Sequence, residues 1–205
     1  MIAVVDYGVG NLFSLKSSFA VLGADICVTG DKERIFAAEK IVLPGVGAFG
    51  DAAKKLKDEG LDALLIGEAK KGKPILGICL GMQLLFDKSF EYGTHDGLGL
   101  ISGTVRPIAD LCDQEVKIPH MGWNSLDFGE TKHPIFKYIN EGDFVYFVHS
   151  FCAVNCEKSV IASTRYGGAD ITAAAAFENV IGCQFHPEKS GETGLKILKA
   201  FCEME

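Results

Sequence analysis

Short apolar runs alternate with amphipathic stretches along the first half of the chain. The run "IAVV" at 2–5 precedes Leu12, Leu15, Phe19 and Leu22, which recur at helical spacing and stop before Gly23, a natural C-terminal cap. That is a strand, a turn and a helix. Further strands are expected at about 26–29 and 41–43, a helix rich in Ala, Lys and Leu over roughly 52–71, and a strand at 75–78 that runs into "CLGMQLLF". The second half reads differently. Its segments "FVYFVHSF", "VIASTRYGG", "ITAAAAFEN" and "VIGCQFHPE" are short strands separated by turn residues, which suggests an antiparallel extension of the sheet. Ser190 is placed to cap a last helix with Leu195, Leu198 and Phe201 on its apolar face. The alternation predicts an α/β fold with helices on both faces of the sheet. The 205 residues, 48% of them hydrophobic, suffice for one domain spanning 1–205 with a substantial core.

Charge and cysteine usage narrow the function classes. With 20 Lys and Arg against 27 Asp and Glu, the net charge of −7 leaves no basic footprint for a nucleic acid backbone. The opening "MIAVVDYG" has no basic leader with a following apolar segment, and no apolar run approaches the length of a membrane span. A cytoplasmic protein without nucleic-acid or membrane partners is expected. The seven cysteines, at 27, 79, 112, 152, 156, 183 and 202, are odd in number and contain no C-x-x-C pair, so most are expected to be reduced core residues. Cys152 and Cys156 could be imagined as metal ligands, but no second pair or suitably spaced His accompanies them.

The stretch "IVLPGVGAFGD" at 41–51 contains glycines 45, 47 and 50, a literal G-x-G-x-x-G. A dinucleotide site also needs an acidic residue at the end of the next strand, about 20 positions on. Glu68 has the right count, yet "LDALLIGEAKKG" reads more readily as helix than as a strand end. The fingerprint alone is weak.

A sharper pattern follows at "LGICLGM". An apolar strand enters Gly77-Ile78-Cys79-Leu80-Gly81, the thiol counterpart of the G-x-S-x-G nucleophile elbow. A sharp strand-to-helix turn lifts the nucleophile and needs small neighbours, which Gly77 and Gly81 supply, while the helix start beneath the sulfur favours thiolate. A nucleophile needs a base, and the base an orienting group. In "GCQFHPEKS", His186 follows an apolar strand and Glu188 lies two residues on, on the same side of an extended segment, where it can hold the imidazole tautomer. Alone, each motif is more simply a buried thiol or a surface turn. Together they point to nucleophilic catalysis by Cys79, His186 and Glu188.

The pair of motifs resembles the class I, triad-type glutamine amidotransferases. The segments "DYGVGN" (6–11), "LPGVGAFG" (43–50), "GICLGMQLLF" (77–86), "GLGLISG" (97–103), "IPHMGWN" (118–124), "YFVHSF" (146–151) and "GCQFHPEKS" (182–190) are similar to glutaminase subunits of imidazole glycerol phosphate synthases, enzymes of histidine biosynthesis. The resemblance implies an open, mainly parallel, flavodoxin-like sheet and hydrolysis of L-glutamine to glutamate and ammonia through a thioester on Cys79. It implies that "PGVG" is an oxyanion strand, with a backbone N–H near Val46 or Gly47 joining that of Leu80, so that the G-x-G-x-x-G match is coincidental. Gln83, Glu91 and the backbone around His149, Ser150 and Phe151 would bind glutamine, with Glu91 suited to its ammonium group and His149 given no proton chemistry. No metal or organic cofactor is implied. The partner would be a (β/α)8 barrel cyclase that receives the ammonia, with Asn11, Trp123, Tyr146 and Lys189 at or near the contact. Two other classes stay open on the residues: a stand-alone cysteine hydrolase and a non-catalytic binding module.

Overall fold

The computed structural model describes residues 1–112 and 115–204. Its strands are β1 (Ile2–Val5), β2 (Ile26–Thr29), β3 (Lys40–Leu43), β4 (Ile75–Ile78), β5 (Phe86–Ser89), β6 (His95–Asp96), β7 (Ile101–Pro107), β8 (His120–Ser125), β9 (Phe144–His149), β10 (Phe151–Val154), β11 (Val160–Tyr166), β12 (Ala169–Phe177) and β13 (Val180–Cys183). The helices are α1 (Leu12–Val21), α2 (Lys32–Ala37), α3 (Phe49–Asp58), α4 (Leu61–Lys70), α5 (Leu80–Leu84) and α6 (Gly191–Cys202).

The largest sheet has the order β11-β12-β13-β4-β3-β1-β2. From β13 to β2 every neighbour is parallel, so the strand of "VIGCQFHPE" belongs to the parallel core, and the antiparallel extension is supplied by β11 and β12 alone. Side chains alternate across β1: Ala3 and Val5 enter one core with α2, α3, α4 and α5, whereas Ile2 and Val4 enter the other with α1 and α6. Helices therefore cover both faces, as the sequence pattern requires.

Three local expectations change. The helical stretch at 52–71 is two helices, because Gly60 adopts a left-handed φ of 62° between α3 and α4. "FVYFVHSF" does not join the main sheet. It divides at Ser150, where β9 pairs with β8 as a two-stranded ribbon and β10 passes to β7 in a separate four-stranded sheet. Ser190 does occupy the N-cap position of α6, but its hydroxyl is used elsewhere: it accepts from the Tyr146 N–H (2.9 Å) and donates to the His186 carbonyl (2.7 Å). Glu68 lies on α4 rather than at a strand end, buried and paired with Lys71 and Lys73, each at 2.6 Å, which removes the acidic partner a dinucleotide site would need. All seven cysteines are free thiols. Cys152 sits in a small apolar cluster with Ile108 and Ile171, and burial pushes its thiol up to about 12, while the Cys156 sulfur faces the Thr172 hydroxyl at 3.9 Å. Among the described residues, no group of three or more His, Cys, Asp or Glu is placed to hold a metal, and no helix is long and apolar enough to cross a membrane.

Candidate active site

The turns that leave the C-terminal ends of β1, β3, β4 and β13 meet on one edge of the sheet, beside the point where the strand order reverses. The β4 turn carries Cys79. Its φ of 54° and ψ of −110° lie outside the usual regions for a residue with a side chain, a strain of roughly 1–3 kcal/mol. The neighbouring backbone holds it there: the Cys79 N–H donates to the Cys183 carbonyl at the end of β13 (2.8 Å), and its own carbonyl accepts from the Gln83 N–H (3.1 Å) to start α5. The small flanks are a steric necessity. A Cβ on Gly81 would lie 1.8 Å from the Leu43 carbonyl oxygen, and one on Gly77 would lie 2.7 Å from that of Gly81.

The "PGVG" turn after β3 packs directly on this elbow. A Cβ on Gly45 would approach the Gly81 nitrogen to 2.8 Å, and the buried Tyr7 hydroxyl, from the turn after β1, donates to the Pro44 carbonyl at 2.8 Å. Gly47 has φ of 95°, which a side chain would disfavour, and Val46 is exposed.

His186 follows β13. Its N–H donates to the Tyr146 carbonyl (2.9 Å), and its Nδ1 lies 2.8 Å from Glu188 Oε1, both side chains being almost wholly buried. The pairing expected from sequence is present, but a tight 3-10 turn at Pro187–Lys189 brings it about, not an extended segment. Burial opposes a charged imidazole; the neighbouring Cys79 sulfur and the Glu188 carboxylate outweigh it and raise the His186 pKa to about 9. Its Nε2 has no hydrogen-bond partner and is left available.

A cavity of about 400 Å³ opens over these groups. Cys79, His186, Val46, Gly47, Leu80, Gln83, Glu91, His149, Ser150, Phe151 and Lys189 all line it, and Tyr92, Pro119 and Val148 complete the wall. Glu188 stands behind His186. Glu91 is buried, and its Oε2 accepts from the Phe49 N–H (2.7 Å), capping α3 where Ala48 offers no side chain for the purpose. Gln83 Nε2 donates to the Phe151 carbonyl and to Gln184 Oε1, each at 3.0 Å. Gln184 is the residue that motif reading missed. Fully buried one residue past β13, it also directs Nε2 at the Cys79 sulfur (3.7 Å), and only its place between Cys183 and His186 could have marked it.

The remaining predicted residues lie outside the cavity. Asn11 caps α1 by accepting from the Ser14 N–H at 3.4 Å. Trp123 and Tyr146 face each other across the β8–β9 ribbon, edge to face with ring centroids 6.0 Å apart, and the Lys189 ammonium lies 6.0 Å from the Tyr146 ring. Trp123 is 53% exposed, which excludes ordinary core packing, and Met121 beside it is also exposed.

A thiol at a strained elbow, an imidazole oriented by a carboxylate and a glycine-rich backbone turn against the elbow can together perform acyl transfer from an amide or ester. Comparisons with known proteins agree. The family model for glutamine amidotransferase class-I matches residues 3–204. The chain is 48% identical over 202 residues to the imidazole glycerol phosphate synthase subunit HisH of Lactococcus lactis, covering 98% of each chain. It is equally 48% identical to the subunit of that name from Caldanaerobacter subterraneus, over 100% of this chain and 98% of the relative. Among solved structures, PurLQS from Thermotoga maritima superimposes with a TM-score of 0.76 at 21% identity, over 98% of this chain and 96% of that one. A crystal structure of a glutamine amidotransferase gives 0.74 at 17% identity, over 98% and 99%; at such identities the likeness speaks for the fold. With a family match across nearly its whole length and relatives at 48% identity, the chain belongs to the class-I glutamine amidotransferases.

Proposed function

We propose that this protein, as one glutamine amidotransferase domain over 1–205, is the glutaminase subunit of an imidazole glycerol phosphate synthase. Cys79 attacks the side-chain amide carbon of L-glutamine while His186 handles the thiol proton and then protonates the leaving amine. Ammonia departs and leaves a glutamyl thioester, and water activated by His186 releases glutamate and restores the thiol. Glu188 orients the imidazole. The Leu80 N–H and one N–H from Val46 or Gly47 hold the oxyanion, Glu91 takes the glutamine ammonium, and Gln83 with the backbone of His149, Ser150 and Phe151 flanks the substrate. The observation that carries this reading is the convergence of the Cys79 elbow and the His186–Glu188 pair on one cavity of about 400 Å³, within the usual range for a small-molecule site.

Free ammonia in neutral water becomes ammonium, which is no nucleophile, so a synthase glutaminase benefits from delivering it directly. The partner we propose is a (β/α)8 barrel cyclase that combines the ammonia with a phosphoribulosyl intermediate to give imidazole glycerol phosphate and an aminoimidazole carboxamide ribotide. We place the contact at Asn11, Trp123, Tyr146 and Lys189; the exposure of Trp123 on the β8–β9 ribbon supports it, since aromatic anchors are enriched in interface cores. A cytoplasmic location fits this chemistry. The test is glutamate release by the purified chain with and without the barrel partner and the partner's nucleotide ligand. Strong activation by the liganded partner is expected; equal activity without it would favour a stand-alone hydrolase.

A further inference from the structure

His120 and His149 are paired in register at one end of the β8–β9 ribbon, buried beside the cavity, and the mechanism above gives neither a proton to move. Their side chains form one continuous line of contacts. The Phe151 carbonyl lies 2.8 Å from His149 Nδ1, His149 Nε2 lies 3.0 Å from His120 Nδ1, and His120 Nε2 lies 2.9 Å from Asn124 Oδ1. Asn124 Nδ2 then donates to the Arg165 carbonyl at 3.1 Å. Both ends of this line are carbonyls, which only accept.

Counting protons from the ends inwards leaves a deficit in the middle. The Phe151 carbonyl requires a proton on His149 Nδ1. The Arg165 carbonyl fixes the Asn124 amide, because the flipped amide would set two acceptor oxygens against each other at 3.1 Å; Asn124 Oδ1 therefore requires a proton on His120 Nε2. If both rings are neutral, each has now used its only proton, and two bare lone pairs face each other at 3.0 Å. One further proton turns that contact into a hydrogen bond.

The surroundings suit a shared cation. The His120 ring is stacked between Tyr166 and Phe147, with centroids at 4.0 and 4.9 Å, and aromatic faces attract positive charge. Of the charged groups nearby, the Glu188 carboxylate faces the His186 imidazole at 2.8 Å. Glu91 and Lys189, of opposite charge, both line the cavity with His149. The Tyr166 hydroxyl donates to the Lys117 carbonyl, and the Arg165 guanidinium is engaged by Asp170. Against the cation stand burial and, for His149, the neighbouring His120 and His186, all of which favour neutral rings. The hydrogen-bond count stands on the other side, since an unmade bond between buried polar groups costs their desolvation.

We propose that His120 and His149 share one proton between Nδ1 and Nε2, and that this charged clamp positions the Phe151 carbonyl, and with it the wall of the substrate cavity. They are positioning residues. Phe151 is held from two sides, by His149 and by Gln83 Nε2, at the place where the chain leaves the ribbon for the other sheet. The functional half of the proposal rests on the glutamine reading above; the shared proton does not, and the two are tested separately.

Imidazole 15N NMR of the full chain near neutral pH reads the proton directly. The expected pattern is His149 Nδ1 and His120 Nε2 both protonated, with a strongly downfield proton coupled to the two inner nitrogens. An unprotonated nitrogen at either outer position, or two protonated outer nitrogens with no proton on the inner pair, would overturn the clamp. For the functional half, glutamine affinity is measured by equilibrium binding. His120→Phe keeps the aromatic stack but leaves His149 unpartnered, and is expected to weaken binding about fivefold, the worth of one hydrogen bond. His120→Gln, whose amide can donate to His149 Nε2 and still meet Asn124, is expected to restore it. Wild-type affinity in a folded His120→Phe protein would refute the positioning role, whereas failure of wild type itself to bind glutamine would count against the glutaminase reading and leave the NMR result standing.

Discussion

Replacing Cys79 with alanine is expected to lower glutamine-dependent glutamate release by about 10⁵-fold or more, the scale seen when a triad nucleophile is removed. The reason is chemical. Among the seven thiols, Cys79 alone sits at the strained elbow that lines the cavity with His186, and the others are packed into the cores or lie elsewhere on the chain. The loss should be confined to the first half-reaction. Binding of the barrel partner is expected to stay at the wild-type level, and added ammonium salt at raised pH should still support the partner's synthesis, because free ammonia bypasses the thioester. Parallel assays with glutamine and with ammonium salt check this division; loss of both activities in a complex that still assembles would argue against it.

The second large effect is structural. Gly81→Ala is expected to destabilise the fold by about 3 kcal/mol or more, the upper range for overpacking, since the new Cβ would lie 1.8 Å from a backbone oxygen of β3, so that strand or elbow must shift. In a protein of this size that corresponds to a fall in Tm of roughly 10 °C. Gly67→Ala is the matched control. Nothing lies within 4 Å of a Cβ added at Gly67 in the middle of α4, so relief of glycine's entropy should raise stability by up to about 1 kcal/mol. Thermal melts of the two variants separate close packing at the elbow from a general intolerance of added methyl groups. A Gly81→Ala protein that melts with wild type would show that the elbow can relax.

Much of this architecture was legible in residue order because it depends on local pattern. The strands at 2–5, 26–29 and 75–78 are apolar runs bounded by turn residues, and each appears where the pattern puts it. The G-x-C-x-G elbow was legible for the same reason, its glycines being dictated by a turn only a few residues long. What stayed hidden is non-local. Gln184 touches Cys79 across 105 positions of sequence, and no spacing rule connects them. The capping of α3 by Glu91 spans 42 positions and gives that carboxylate a structural partner in addition to any substrate. The division of "FVYFVHSF" at Ser150 was invisible because both halves alternate like strands; the choice of different partners, β8 for one and β7 for the other, is made by tertiary packing. No spacing rule links His120 to His149, and only their register opposite one another brings the ring nitrogens to 3.0 Å.

Glutamine hydrolysis by this site runs through a covalent glutamyl intermediate on one particular sulfur. It is tested by acid-quenching the partner-bound enzyme during turnover of isotopically labelled glutamine and mapping the label by mass spectrometry of its peptides. The expected result is a glutamyl thioester on the peptide carrying Cys79, chased into glutamate when unlabelled glutamine is added and absent from Cys79→Ala. Label on another cysteine, or steady glutamate release with no thioester on Cys79 at any quench time, would contradict it.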